Sequence, residues 1–214
     1  MPRNINDIYN LTRYIVRKQR GVFLTIPQFN DNMDAGQLDA FQEWFAPWGD
    51  SQILHDSLRP FRVYHQFTSN AAGFVTFPDN YEHLLGAAFT VTGSTINEIT
   101  FVNDNEWVFA INSQQRPVSL SKPIALDTNV GFSLYPQSLQ IGFFNYLRRP
   151  ATPLLSVTTV GRAQTYDPLT SVQLEWKDSY VNNLIAKALK YAGVNMDEQG
   201  VLAFAEAYDQ QTKP

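Results

Sequence analysis

The spacing of apolar residues changes twice along the chain, and this constrains the fold more than any other feature. Between Pro60 and Leu147 apolar side chains recur largely at every second position; on either side they recur at steps of three and four. A period of two lays one face of a strand on a core, and a period near 3.6 does the same for a helix. The pattern predicts helices at both ends with a β-rich segment between them, the α+β class.

The C-terminal pattern is the clearest. In KDSYVNNLIAKALKYAG, residues Tyr180, Val181, Leu184, Ile185, Ala188, Leu189 and Ala192 form one apolar helix face. Asp178 is placed to cap its start and Gly193 to end it in the left-handed conformation. Asn195 with Glu198 resembles a capping box opening a second helix, with Val201, Leu202, Phe204, Ala205 and Tyr208 on one face. So short a connection predicts an antiparallel pair.

At the other end, Ile5, Ile8, Leu11 and Ile15 share a face of a helix over 4–20 that stops at Gly21. Another helix starts near Thr25, with Pro27 in its first turn, and runs to about Trp44. Gly36 is the position where it would break, and Leu38, Phe41 and Phe45 line a common face.

In the middle, PFRVYHQFT sets Phe61, Val63, His65 and Phe67 against Arg62, Tyr64 and Gln66. GFVTFP, LLGAAFTVT, TINEITFV, VGFSLYP and LQIGFFNYL follow, the last with Leu139, Ile141, Phe143, Asn145 and Leu147 on one face. Short strands at this spacing predict an antiparallel sheet or small sandwich, interrupted by a short helix in NDNEWVFAIN capped by Asn103 or Asp104. Charge divides the chain at similar places: residues 60–175 hold 14 charged side chains in 116 positions, the flanks 22 in 98. The expected organisation is an N-terminal helical segment over 1–59, a β-rich domain over 60–175, and a helical hairpin over 176–214 that packs with the N-terminal helices.

Composition narrows the function. With 44% hydrophobic residues in 214, the chain can build a substantial core. A net charge of −4 argues against wholesale nucleic-acid binding, which needs a basic surplus. The absence of cysteine rules out disulfides, thiolate metal sites and a cysteine nucleophile. MPRNINDIYN has no apolar run of the kind a secretory leader needs. The longest uncharged stretch, Thr128 to Leu147, alternates like strands and is not a membrane span.

Chemical motifs are sparse. His55, His65 and His83 show no metal-ligand spacing, and a histidine on an alternating strand reads as a packed or surface residue. VTGSTIN puts Ser94 after Gly93 but lacks the second glycine of a nucleophile elbow. No phosphate-binding glycine motif occurs. NDNMDAG, ending at Gly36, and DTNVG, Asp127 to Gly131, misplace the ligands or the glycine of a calcium loop and read as caps and turns. No cofactor is expected. Glu82, Glu98 and Glu106 are the acidic residues an enzyme reading would have to use.

Five arginines stand out. Arg13 and Arg17, with Arg20, fall on one helical face beside Lys18: either a contact for DNA or an acidic partner, or a solvated helix end whose cations suit its dipole. Arg148 and Arg149 follow the alternating LQIGFFNYL and precede Pro150, which cannot donate to a ladder, so the strand ends or reaches a sheet edge there. An arginine at such an edge is equally suited to a bidentate contact with a neighbouring subunit's carboxylate.

The order of several longer phrases carries a resemblance. LRPF at 58–61, FPDNYEHLLGAAF at 77–89, DNEW at 104–107, LYPQSLQIGFFNYLRRPATP at 134–153, and the run from Tyr166 to Gln211 together resemble neck (connector) ring proteins of tailed bacteriophages, notably crAss-like and related phages of Bacteroidetes. The resemblance covers roughly the last two-thirds of the chain, and none of its phrases is catalytic. It implies a non-enzymatic head–tail completion protein of the virion, assembled in the host cytoplasm. The implied assembly is a homo-oligomeric ring matched to the portal's twelvefold symmetry, contacting the portal or other neck and tail proteins. DNA would pass through it without specific binding, and no membrane is involved. Arg148, Arg149, Arg13 and Arg17 are then candidate inter-subunit contacts, and Trp48 and Tyr64 candidate exposed aromatics. A β-sandwich binding module of a phage tail, taking a receptor or carbohydrate, is the alternative; it would need exposed Trp pairs on one face.

Overall fold

The computed structural model describes residues 4–46, 56–161 and 163–212. In chain order the elements are α1 (Ile5–Arg20), α2 (Ile26–Phe45), β1 (Arg62–Thr68), β2 (Phe74–Thr76), β3 (Tyr81–Thr92), β4 (Thr95–Val102), α3 (Asp104–Ile111), β5 (Ile124–Thr128), β6 (Gly131–Tyr135), β7 (Ile141–Arg148), β8 (Val157–Val160), β9 (Ala163–Tyr166), α4 (Asp178–Tyr191) and α5 (Glu198–Thr212). The α+β expectation holds, with helices at both ends and a central, mostly antiparallel sheet.

The chain forms two compact units, one continuous over Phe61–Arg149 and one assembled from residues 1–60 and 150–214. The expected boundary at 59/60 moves by one residue. The one expected at 175/176 moves to 149/150, because 150–175 is bound to the helices. The Asn30 side chain donates to Leu155 O (3.2 Å) and accepts from Leu155 N–H (2.9 Å). One turn pair further along α2, buried Gln37 donates to Ala151 O at 3.0 Å and accepts from the Trp176 indole at 3.3 Å. Gln173 accepts from Ile5 N–H at 2.8 Å. Within this segment, β8 and β9 form a separate antiparallel hairpin.

In the helical unit local signals set the ends. Asn4 caps α1 through Asn6 N–H, and Gly21, at φ 68°, ends it. Thr25 and Gln28 form a reciprocal capping box on α2. Gly193 turns out of α4 at φ 75°, with Val194 N–H donating back to Leu189 O. Two expected caps differ by a few residues. Lys177, not Asp178, occupies the cap position of α4, and Asp178 is its first residue. Asp197, not Asn195, serves α5 by accepting from Gly200 N–H at 2.8 Å.

Helix α2 is continuous through Gly36, correcting the expected break. That glycine sits where α4 crosses: a Cβ there would lie 2.8 Å from Ala188 N. The buried seam of α2 is Phe29, Met33, Gly36, Gln37, Ala40 and Phe41. Of the expected stripe only Phe41 is fully buried. Ile5, Ile8, Ile15, Leu184, Ile185, Leu189 and Val201 complete this core. A Lys187–Glu43 ion pair and a Tyr191 hydroxyl donating to Asp39 (2.8 Å) border the α2–α4 contact. Tyr14 packs on Phe204 and Tyr208 of α5.

The continuous unit is a seven-stranded sheet in the order β1-β7-β3-β4-β5-β6-β2. Every pairing is antiparallel except β4 with β5. A parallel pair requires a long crossover, and here residues 103–123, including α3, supply it. The two edge strands are consecutive in sequence and the sheet nearly closes on itself. Its interior draws from all seven strands: Phe67, Val75, Ala88, Ile99, Ala125, Phe132, Leu134, Phe144 and Tyr146. Closure needs curvature, and β3 supplies it with register shifts at Tyr81/His83 and at Leu85/Ala88, the second containing Gly86 at φ 70°. The result is a partial barrel filled by aromatic rings, rather than a sandwich of two sheets.

The unit enters and leaves at one end of adjacent strands, since Arg62 opposes Leu147 in the β1–β7 ladder. It is thus an insertion in the helical unit, entered after Arg59-Pro60 and left through Arg148-Arg149-Pro150.

Candidate functional site

The arginine pair at 148–149 is resolved by topology. β7 lies between β1 and β3, so its end is not a sheet edge, correcting that half of the expectation. The strand does end at Arg148. Arg148 is half-buried, with its guanidinium carbon 5.6 Å from the centre of the Phe61 ring and Nη1 donating to Arg149 O at 3.4 Å. Arg149 donates its backbone N–H to Asn80 O at 2.8 Å, and its side chain is exposed. Only Arg149 of the two is free to face outward.

Arg13 and Arg17 are both exposed on α1. Arg17 lies over the Phe23 ring at 5.5 Å, and Lys18 over Tyr14 at 5.6 Å. Arg20 differs: it donates to Ala192 O at 2.8 Å at the C-terminal end of α4, where the carbonyls of the last turn lack partners. Beside this face Val22 and Phe23 project outward, Phe23 being 64% exposed. A groove of about 430 Å³, lined by Arg20, Val22, Leu24, Gln28 and Tyr191 among others, adjoins them.

A second surface belongs to the inserted unit. Helix α3 buries none of its residues. Val108 is 61% and Phe109 79% exposed, and with Asn105 and Asn112 they occupy one face by the three- and four-residue spacing. Asp104 and Glu106 charge its first turn, which suits the helix dipole. Sequence reasoning placed this helix but assigned it no role; Val108-Phe109 in an eight-residue helix flanked by acids was the available signal.

The outer wall of the barrel carries an aromatic row. Phe143 of β7 lies 5.4 Å from Tyr64 of β1 and 5.2 Å from Phe89 of β3, centre to centre. Tyr64 is exposed as expected; Trp48 and His55 lie outside the described residues.

Over β4, the crossover roofs a groove of about 510 Å³ whose charged lining residues are Glu98, Arg116 and Lys122. None of its lining residues is aromatic or histidine. Of the three acids named above only Glu98 is here; Glu106 is on exposed α3 and Glu82 on β3.

The remaining polar candidates lie on the strands, turns and helix already described. His65 packs on Phe144 and Tyr146, at 5.2 and 6.2 Å between ring centres, and burial pushes its pKa down. Burial also lowers His83, with Glu82 acting against it. Tyr81, stacked on Phe77 at 3.8 Å, is pushed up to about 12 by burial and then by Asp127. Ser94 is a residue of the β3–β4 hairpin turn. The Asn30–Gly36 segment lies inside α2, not in a loop or at a cap, and Asp127–Gly131 is the β5–β6 turn. Among the described residues no group of three or more His, Asp or Glu could hold a metal ion, and no helix is long and apolar enough to cross a membrane.

No protein-family model and no curated protein matches the chain.

Proposed function

We propose that this protein is a virion structural subunit that forms a head–tail connector ring, a neck layer between portal and tail around the DNA passage. One observation carries most weight: α3 is an entire helix with no buried residue, and it presents Val108 and Phe109 to solvent. A helix gains most of its stability from packing its apolar face, so this one calls for a partner surface. The ordered phrases from Leu58 to Gln211 supply the kind of assembly.

The chemistry of the chain suits such a role. A net charge of −4 limits phosphate contacts, so DNA can slide past. Closed rings are built from heterologous contacts, which require two different faces on each subunit. On this reading Arg13, Arg17 and Arg149 are available to neighbours, whereas Arg148 acts within its own subunit. Twelve copies would match the portal.

Quantitative mass spectrometry on density-purified particles tests the proposal by counting this chain per portal ring. About one copy per portal subunit is expected; absence or trace amounts would overturn it.

The aromatic row Tyr64–Phe143–Phe89 favours a second reading, a tail module that stacks a receptor or carbohydrate on the barrel wall. Binding on a glycan array that Tyr64→Ala abolishes would establish it in place of the first.

A further inference from the structure

The structure carries two unpartnered surfaces of opposite charge, one on each unit. On the helical unit, Arg17 lies over Phe23 of the exposed pair Val22 and Phe23, Arg13 stands one turn back on the same exposed face of α1 with Lys18 beside Arg17 in sequence, and the groove adjoins the pair. On the inserted unit, Asp104 and Glu106 border the exposed pair Val108 and Phe109 on α3. Resting on the ring reading above, we propose that α3 of one copy docks against the α1–α2 corner of the next. Asp104 and Glu106 face Arg13 and Arg17, Phe109 enters the groove, and Val108 covers Phe23.

Charge selects this occupant over the alternatives. Two α3 helices packed on each other would bring four carboxylates together, and two copies of the α1 corner would gather six cations; like charges at an interface penalise both. Only the mixed pairing sets opposite charges side by side while covering both apolar pairs. The dimensions agree as well. At the helical rise, the seven-residue step from Arg13 to Arg20 covers about 10 Å and the eight residues of α3 about 12 Å. The pairing is heterologous, so each copy offers one donor and one acceptor surface, as a ring requires.

Cation placement on α1 supports the same direction. Arg20 is already bound to the Ala192 carbonyl, so it shapes the groove wall and is not the residue that reads the partner. Arg17, held over Phe23, is positioned for both functions: its guanidinium covers one ring and leaves donors for a carboxylate.

The chain contains no cysteine, so single cysteines report the contact without background. Copies carrying V22C are mixed with copies carrying N105C, oxidised, and resolved by mass. The mixed disulfide is expected in several-fold excess over either homodisulfide. Adding E106R to the N105C copies should remove that excess, and adding R17E to the V22C copies should restore it. A mixed product at the statistical level overturns the proposal, as does failure of R17E to restore it. Restoration also shows that the charge variants fold. Neither failure touches the ring reading, which is decided separately by copy number in particles.

Discussion

The guanidinium carbon of Arg148 sits 5.6 Å from the centre of the Phe61 ring, so the last residue of β7 rests on the first residue of the inserted unit. Phe61 is fully buried, and the residue that follows it, Arg62, opposes Leu147 across the β1–β7 ladder. The two chain crossings are thereby held together at one end of the barrel. Cation–π contacts of this kind contribute about 0.5–1 kcal/mol, rising towards 2 when desolvated. Arg148→Ala is expected to lower stability by about 1 kcal/mol or somewhat more, whereas Arg149→Ala should stay within about 0.5 kcal/mol of wild type. Urea titrations of the two variants check this, and equal losses would contradict it.

Gly36 and Ala188 define the closest approach of α2 and α4. On propensity alone, Gly36→Ala would stabilise the helix by about 1 kcal/mol. Here the added methyl meets the Ala188 backbone N at 2.8 Å, Cα at 3.1 Å and Cβ at 3.3 Å. Backbone atoms cannot rotate away, so the overpacking cost of about 1–3 kcal/mol should dominate. The expected result is a net loss in thermal midpoint; a gain would mean that the helices separate without cost.

Phe132 and Phe143 test the inside and outside of the barrel. Phe132 is fully buried and touches the rings of Phe67, Phe77, Phe101 and Phe144. Phe132→Ala should cost about 3–5 kcal/mol. Phe143 lies half-buried on the outer wall between Tyr64 and Phe89, and Phe143→Ala should cost markedly less. Denaturant midpoints decide it, and the reverse order would show that the sheet curls the other way.

Acid should weaken the barrel in a defined window. Burial lowers the pKa of His65 and of His83 from 6.5, so the unfolded chain takes up protons first as pH falls through that value. Stability should decline from about pH 7 downward and level off below the folded values. Asp127, which burial holds above 3.8, acts in the opposite sense: protonating it favours the folded form, returning part of the loss at more acidic pH. His65→Gln should flatten the decline in urea midpoint between about pH 7 and 5. An unchanged slope would place the titration elsewhere.

The sequence alone determined the helices and strands β1–β4, β6 and β7, whereas β5, β8 and β9 were not among the expected strands. Apolar spacing is a local property, and so are the caps at Asn4, Thr25, Gly21 and Gly193 that bound the elements. The exposed candidates Arg13 and Arg17 were likewise readable from helical spacing. Other features depend on residues distant in the chain. β7 has apolar side chains on both faces, and the expected grouping of Ile141, Phe143 and Leu147 does not form the barrel lining; Phe144 and Tyr146 do. Period two says only that the faces differ. Register with β1 and β3 decides which of them turns inward.

The same holds for the units. Residues 150–175 are composed like the strands before them, and they join the helices because Asn30 and Gln37 satisfy their backbone groups. A polar residue buried in a helix seam has no apolar signal, so the tertiary structure alone discloses it. Arg148 and Arg149 are neighbours of identical type, yet one is held by Phe61 and the other is exposed. Alternation along a strand sends adjacent side chains to opposite sides, and only the packed barrel determines what each side meets.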